Sequence, residues 1–153
     1  MTIRKVQIDD LEELQKLFVD TITTICKADY DEKQIEAWTS GVNNKQRWQN
    51  ILTNQLVMVS QKDGKITGFC TLNCNHIDLF YVHKDHQREG IAKKLYAEIV
   101  KVAEQQGQTE LTSDVSKTAR PFFEKVGFVV MVEQKVMIGD IELTNFKMTK
   151  KIA

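Results

Sequence analysis

The chain has 153 residues, and its 21 Lys and Arg exactly offset 21 Asp and Glu, so the formal net charge is zero. That length suits a single domain over residues 1–153, able to bury roughly 68–70% of its extended surface without staples. Balanced charge excludes the basic excess of a dedicated nucleic-acid binder, three cysteines with no CxxC pair exclude a disulfide framework, and no apolar run approaches the roughly 18–20 residues of a membrane span.

Met1-Thr2-Ile3-Arg4-Lys5 has no apolar signal region, so the expectation is a cytoplasmic protein with neither membrane nor nucleic acid as partner. Ile3 to Val6 reads as a strand. Asp9 or Asp10 is then expected to cap a helix with Leu11, Leu14, Leu17, Phe18 and Ile22 at helical spacing. A second helix starts at Asp31, with Gln34 in the capping-box position and Gly41 at its end. A third covers about Lys45 to Leu52. From Leu56 the period changes to that of strands: Leu56–Val59 and Ile66–Phe69 flank Asp63-Gly64, a dipeptide suited to a tight hairpin.

A strand follows from His76 to Val82, then the longest helix from Gly90 to Gln106, with Ile91, Leu95, Ile99, Val102 and Ala103 along one face. Glu110 to Val115 is a strand and Thr118 to Val126 a short helix with Pro121 in its first turn. Phe128 to Ile138 and Ile141 to Met148 form a closing hairpin at Gly139-Asp140. Strand, helix and strand from His76 to Val115 imply a parallel pair with a right-handed crossover. The expected fold is α/β, a mixed sheet flanked by helices.

Chemistry concentrates after Val82. A strand ends, the polar loop His83-Lys84-Asp85-His86 follows, and a long helix opens at Gly90. Free N–H groups and the dipole at a helix start attract an anion, Gly90 permits close approach of backbone to phosphate, Ala92 keeps its position small, and Arg88 and Lys93 or Lys94 add charge. An ordinary strand-to-helix turn with a convenient glycine has the same residues.

Gln87-x-x-Gly90-x-Ala92 after Asp78-Leu79-Phe80-Tyr81-Val82 resembles motif A of the GNAT superfamily of N-acetyltransferases, and Ala119 to Phe128 resembles its motif B helix and Gly-Phe exit. Tyr30 with Gln34 to Trp38, Pro121 to Glu124, and Asn145 to Met148 are similar to the YafP-like group of bacterial acetyltransferases. The resemblance covers essentially the whole chain. It implies a mostly antiparallel, twisted sheet with one parallel pair splayed around acetyl-CoA as acyl donor, with no metal. It also implies pantetheine against Phe80, Tyr81 and Val82, pyrophosphate against Gln87, Arg88, Glu89, Gly90, Ile91, Ala92 and Lys93, and Ser116, Thr118, Phe122 and Phe123 facing the coenzyme from the other side.

The resemblance implies an unidentified amine as acceptor, which must lose a proton before attacking a thioester. Asp78 stands where many relatives place an acidic residue and is the candidate base, directly or through water; a carboxylate that merely pairs with a cation is the other reading. Many relatives have a tyrosine acid where this chain has Phe123, and Tyr81 is the candidate substitute unless strand alternation turns it into the core. Tyr30, Trp38 and Trp48 are candidate walls of the acceptor pocket; aromatic residues on amphipathic helices are more often core, which is the other reading. Cys70 and Cys74 are expected on one strand face as packing residues, and His76, His83, His86, Cys74 and Asp78 match no closed zinc pattern. The alternative function is a non-catalytic acyl-CoA-binding module, motivated by Phe123. Either a monomer or a homodimer fits the sequence.

Overall fold

The computed structural model describes residues 1–153. Its elements run β1 (Thr2–Lys5), α1 (Leu11–Ile25), α2 (Glu32–Thr39), α3 (Lys45–Asn54), β2 (Leu56–Lys62), β3 (Lys65–Asn73), β4 (His76–Val82), α4 (Ile91–Gln105), β5 (Glu110–Ser116), α5 (Arg120–Lys125), β6 (Val129–Ile138) and β7 (Ile141–Lys151). The strands form one seven-stranded sheet in the order β1-β2-β3-β4-β5-β7-β6. Every neighbouring pair is antiparallel except β4 and β5. The expected mixed sheet with one parallel pair is therefore the observed one.

Each face of the sheet is sealed by helices with a periodic apolar stripe. Leu14, Leu17, Phe18 and Ile22 of α1 pack with Trp48 and Ile51 of α3 against Val57, Val59 and Phe69. On the other face Ile91, Leu95 and Ile99 of α4 pack with Phe123 and Phe128 against Cys70, Leu111 and Met148. Full burial of such a side chain stabilises the fold by about 1.5–3 kcal/mol. At Gly68 the start of α4 lies close against the sheet, since a Cβ there would lie 3.0 Å from Ile91 Cγ2 and 3.1 Å from both Ser60 Oγ and the Tyr81 carbonyl oxygen. That contact fixes the first turn of α4 over the end of β4.

Several local expectations are corrected. Asp10 does not cap α1; its carboxylate instead accepts from the Gln7 backbone N–H at 2.7 Å and from the Arg4 guanidinium at 2.8 Å. An arginine charge competes successfully for an acid that sequence spacing offers to the helix. Asp31 and Gln34 do make the reciprocal cap of α2. That helix ends at Thr39 rather than Gly41, whose carbonyl accepts from the Trp48 indole N–H at 3.1 Å. β3 stops at Asn73, and Cys74 sits exposed in a turn at φ 56°, so Cys70 and Cys74 share no face. The helix expected over Thr118–Val126 is shorter, because Thr118 Oγ1 donates to Asp29 Oδ2 at 2.8 Å before the first turn forms. The hairpin turns at Asp63-Gly64 and Gly139-Asp140 are as read from their dipeptides.

Candidate functional site

The parallel ladder between β4 and β5 contains only His76–Thr112 and Ile77–Ser113. Immediately beyond it, β4 carries an extra residue relative to β3: Cys70 faces Phe80, whereas Leu72 faces Ile77. This bulge lies at Asp78-Leu79, where the Leu79 N–H donates to the Thr71 hydroxyl at 2.9 Å instead of to a backbone carbonyl. A bulge bends its strand and strengthens its twist. Here it swings the C-terminal half of β4 away from β5, which continues paired to β7 through Ser116. His83 N–H reaches back to the Thr67 carbonyl of β3 at 2.8 Å, so alternation turns the backbone groups of Phe80 and Val82 toward the gap.

The gap is a cleft of about 200 Å³, mainly apolar, walled by Phe80, Tyr81 and Val82 on one side and by Ser116, Thr118, Phe122 and Phe123 on the other. Phe80 meets the rings of Phe122 and Phe123 edge-on, at 5.5 and 5.9 Å between centroids. Thr21 and Cys26, at the sheet-facing side of the first helical segment, complete the wall. Burial pushes the Cys26 thiol up to about 11, which keeps it neutral.

At the open end of the cleft, the backbone from Gln87 to Lys93 finds no acceptor in the protein for any of its N–H groups. Arg88 and Gly90 both lie in the left-handed region, at φ 63° and 80°, with Gly90 as the residue before α4. Successive amides turned inward by such angles form a concave anion nest, reinforced by the helix dipole. Gln87 is not free to meet a phosphate with its side chain. Its amide N–H donates to the Val82 carbonyl at 2.7 Å, clamping the loop to the strand end, where Thr21 Oγ1 donates as well at 3.1 Å. The donor set, an amide nest leading into a narrow apolar slot beside a stretch of β4 that β5 does not pair, fits a pyrophosphate joined to a pantetheine arm. Arg88, Glu89 and Lys93 are exposed at the rim, while Ile91 is 2% exposed and belongs to the core rather than to the nest's surface.

A second cleft, about 190 Å³, opens on the other side of the bulge. It is lined by Tyr30, Trp38, Arg47, Asp78 and Tyr81 together with Val136, Ile138, Leu143 and Asn145 of the closing hairpin. The two clefts share Trp38, Asp78, Tyr81, Asp114 and Ser116. Asp78 is therefore placed at a junction by the same bulge that opens the first cleft. Its carboxylate accepts from Arg47 at 2.9 Å and from the Gln55 amide at 2.8 Å. Burial acts to raise the Asp78 pKa, but the Arg47 and Gln55 hydrogen bonds outweigh it and hold the group below the usual carboxylate range.

Tyr81 packs edge-on against Phe18 at 5.2 Å, as alternation leads one to expect, yet it also borders both clefts. Burial raises its pKa strongly, so the phenol stays protonated. Tyr30 is 5% exposed; its hydroxyl donates to the Thr144 carbonyl at 2.6 Å and accepts from the Lys117 N–H at 3.0 Å. It fastens the helical segment to β7 and offers the cleft only its ring. Phe123 is 3% exposed within an aromatic cluster and has no proton to give.

His76 Nδ1 lies 2.8 Å from Thr112 Oγ1, and no three His, Cys, Asp or Glu side chains converge. Sequence reasoning missed Arg47, Gln55, Asp114, Thr21 and Gly68. Arg47 and Gln55 stand outside any motif, and only the tertiary placement of α3 and of the residue that follows it brings them to Asp78. Gly68 carried a signal, a glycine inside a strand, which often marks close approach of another element.

A family model described as "Acetyltransferase (GNAT) domain" matches residues 26–150. The "Uncharacterized N-acetyltransferase YafP" of Escherichia coli (strain K12) is 32% identical over 149 residues, covering 97% of this chain and 95% of that protein. The crystal structure of a GCN5-related N-acetyltransferase from Rhodopseudomonas palustris superimposes with a TM-score of 0.95 at 32% identity, covering 99% of this chain and 95% of the other. The PaiA N-acetyltransferase of Thermoplasma acidophilum, solved in complex with coenzyme A, has the same fold with a TM-score of 0.77 at 24% identity, over 98% of each chain.

Proposed function

The chain belongs to the GNAT family of acetyltransferases, and from that premise we propose that it moves an acetyl group from acetyl-CoA to a primary amine by direct attack while both are bound. The observation that carries this reading is the meeting of the two clefts at Asp78 and Tyr81. Acetyl-CoA supplies an acyl group already activated as a thioester. The amide nest from Gln87 to Lys93 holds its pyrophosphate, and the Phe80 backbone with the Val82 N–H holds its pantetheine. The aromatic wall of Phe80, Phe122 and Phe123 excludes water from the thioester end.

The amine enters from the second cleft. Asp78 and Asp114 against the single Arg47 leave that cleft with an excess of negative charge suited to an ammonium group. Asp78 holds the amine and is the nearest acceptor for its proton, directly or through water. A carboxylate held below its ordinary pKa is a weak base, so much of its contribution is placement, which can supply up to roughly 7–11 kcal/mol in favourable cases. Tyr81, protonated across the neutral range, is the donor nearest the departing thiolate in place of the absent motif B tyrosine. The non-catalytic acyl-CoA module is the reading that the family does not favour. Incubation with acetyl-CoA and a diverse amine panel tests the proposal: free thiol appears only with an amine present. Thermal stabilisation by acetyl-CoA with no thiol release on any amine would instead restore the module.

A further inference from the structure

The two ends of the sheet are built differently. β1 is four residues long and carries Arg4 and Lys5, whereas β6 is ten residues long and holds Val129, Met131, Val132, Val136 and Met137, which are 37–62% exposed. Beyond these, Met1 and Ile8 are the remaining large exposed hydrophobics of the chain. A long apolar edge invites another strand.

The backbone determines which residues such a strand would meet. The two-residue turn Gly139-Asp140 makes Ile138 and Ile141 the hydrogen-bonded closing pair, so Ile138, Val136 and Gln134 bond inward to β7. Met137, Lys135 and Glu133 then present their N–H and C=O groups outward. Antiparallel pairing of β6 with another β6 must set outward groups against outward groups, and so its axis passes through a residue. An axis at Glu133 would oppose Glu133 to itself, and one at Lys135 would oppose Lys135 to itself. An axis at Gln134 opposes Glu133 to Lys135 of the partner subunit, and Lys135 to Glu133 of the partner subunit. It also sets Val132 against the partner subunit's Val136, the regular run ending at Met131, the extra residue of a bulge in β6. Opposite charges and matched apolar residues directly across an antiparallel pair are favourable, and like charges there are unfavourable.

We propose that β6 pairs with β6 of a second copy of this chain about a twofold axis at Gln134, joining two seven-stranded sheets edge to edge. The occupant is a second copy because the strand's charge pattern is complementary to its own reverse. A Lys on an edge strand ordinarily discourages pairing; here Glu133, 3.6 Å from Lys135 Nζ in the same chain, provides each partner with the opposite charge. Because Val136 also lines the second cleft, the partner subunit's Val132 would border that cleft's rim.

Molar mass by light scattering and sedimentation, over a wide concentration range, tests the pairing. The unmodified protein is expected as a dimer, Lys135→Glu is expected to weaken it by about tenfold or more, and the charge-swapped pair Glu133→Lys with Lys135→Glu is expected to restore it. At concentrations where each is monomeric, all three are expected to share one melting transition, since dimerisation itself would raise it. In a Cys74→Ser background, Val132→Cys with Val136→Cys is expected to form a disulfide-linked dimer, and Val132→Cys alone is not. A chain that is monomeric at every concentration leaves β6 to some other occupant and overturns the proposal. So does a dimer that Lys135→Glu leaves intact, or one that the charge swap fails to restore.

Discussion

The two clefts that meet at Asp78 are made of different materials. The donor cleft is mostly backbone: amides of the Gln87–Lys93 loop, an edge of β4 exposed by a bulge, and a helix start held down at Gly68. The acceptor cleft is mostly side chains, brought by α2, α3 and the hairpin of β6 and β7 from distant parts of the chain. A backbone site depends on conformation and tolerates many sequences outside its glycine and small positions. A side-chain site changes its ligand with each substitution. One family can therefore keep a donor while its members differ in acceptor.

The difference can be broken at either cleft. On the proposed reading Asp78→Asn removes the charge that the amine meets, and we expect kcat/KM for the acceptor to fall on the order of a hundredfold, the lower end for a proton-handling group. Binding of acetyl-CoA, followed by calorimetry, should stay within about twofold of the unmodified protein, well under the 1.4 kcal/mol that a tenfold change represents. A parallel loss of acetyl-CoA affinity would mean that Asp78 belongs to the donor side. Gly90→Val is the converse. No protein atom lies within 4 Å of a Cβ there, yet φ is 80°, so the substitution strains the nest by roughly 1–3 kcal/mol and points a branched side chain at the anion. Acetyl-CoA affinity should drop by about tenfold or more with the acceptor KM unchanged.

Tyr81→Phe sharpens the junction itself. If the phenol gives its proton to the leaving thiolate, kcat falls by about tenfold, less than the usual 10²–10⁴ because a thiolate leaves without complete protonation. An unchanged kcat would assign Tyr81 to packing against Phe18 and Phe69 alone. Gly68→Ala acts at a distance. Its Cβ would crowd Ile91 and the Tyr81 carbonyl, costing about 1–3 kcal/mol of stability by thermal unfolding and loosening the donor loop before the acceptor cleft.

The smallest effect is one of pH. Asp78 has a folded pKa below its ordinary 3.8, so its contribution to stability is present above that value and lost as pH falls through the folded one. Between pH 6 and 9 it should leave both melting temperature and rate flat, and an activity limb in that window should survive Asp78→Asn, as a property of the amine.

How much of this was legible follows the same division. The parallel pair, the long helix and the glycine at its start could be read from periodicity and from the spacing of Gln87, Gly90 and Ala92. The bulge at Asp78-Leu79 could not, since it depends on the Thr71 hydroxyl across the sheet substituting for a carbonyl. Nor could the partners of Asp78, because Arg47 and Gln55 lie 31 and 23 residues away and no pattern links them to it. Tyr30 was a candidate pocket wall on composition. Its hydroxyl proves to be consumed by Thr144 and Lys117, a use that only the meeting of the helical segment with β7 creates.

The most direct test is initial-velocity kinetics with acetyl-CoA and an accepted amine varied together, on the unmodified chain and on Asp78→Asn. Two clefts meeting at one junction predict intersecting double-reciprocal lines, thiol release only when both substrates are present, and a defect in Asp78→Asn confined to the amine. Parallel lines, with an acetylated enzyme isolated in the absence of amine, would contradict direct transfer between the clefts.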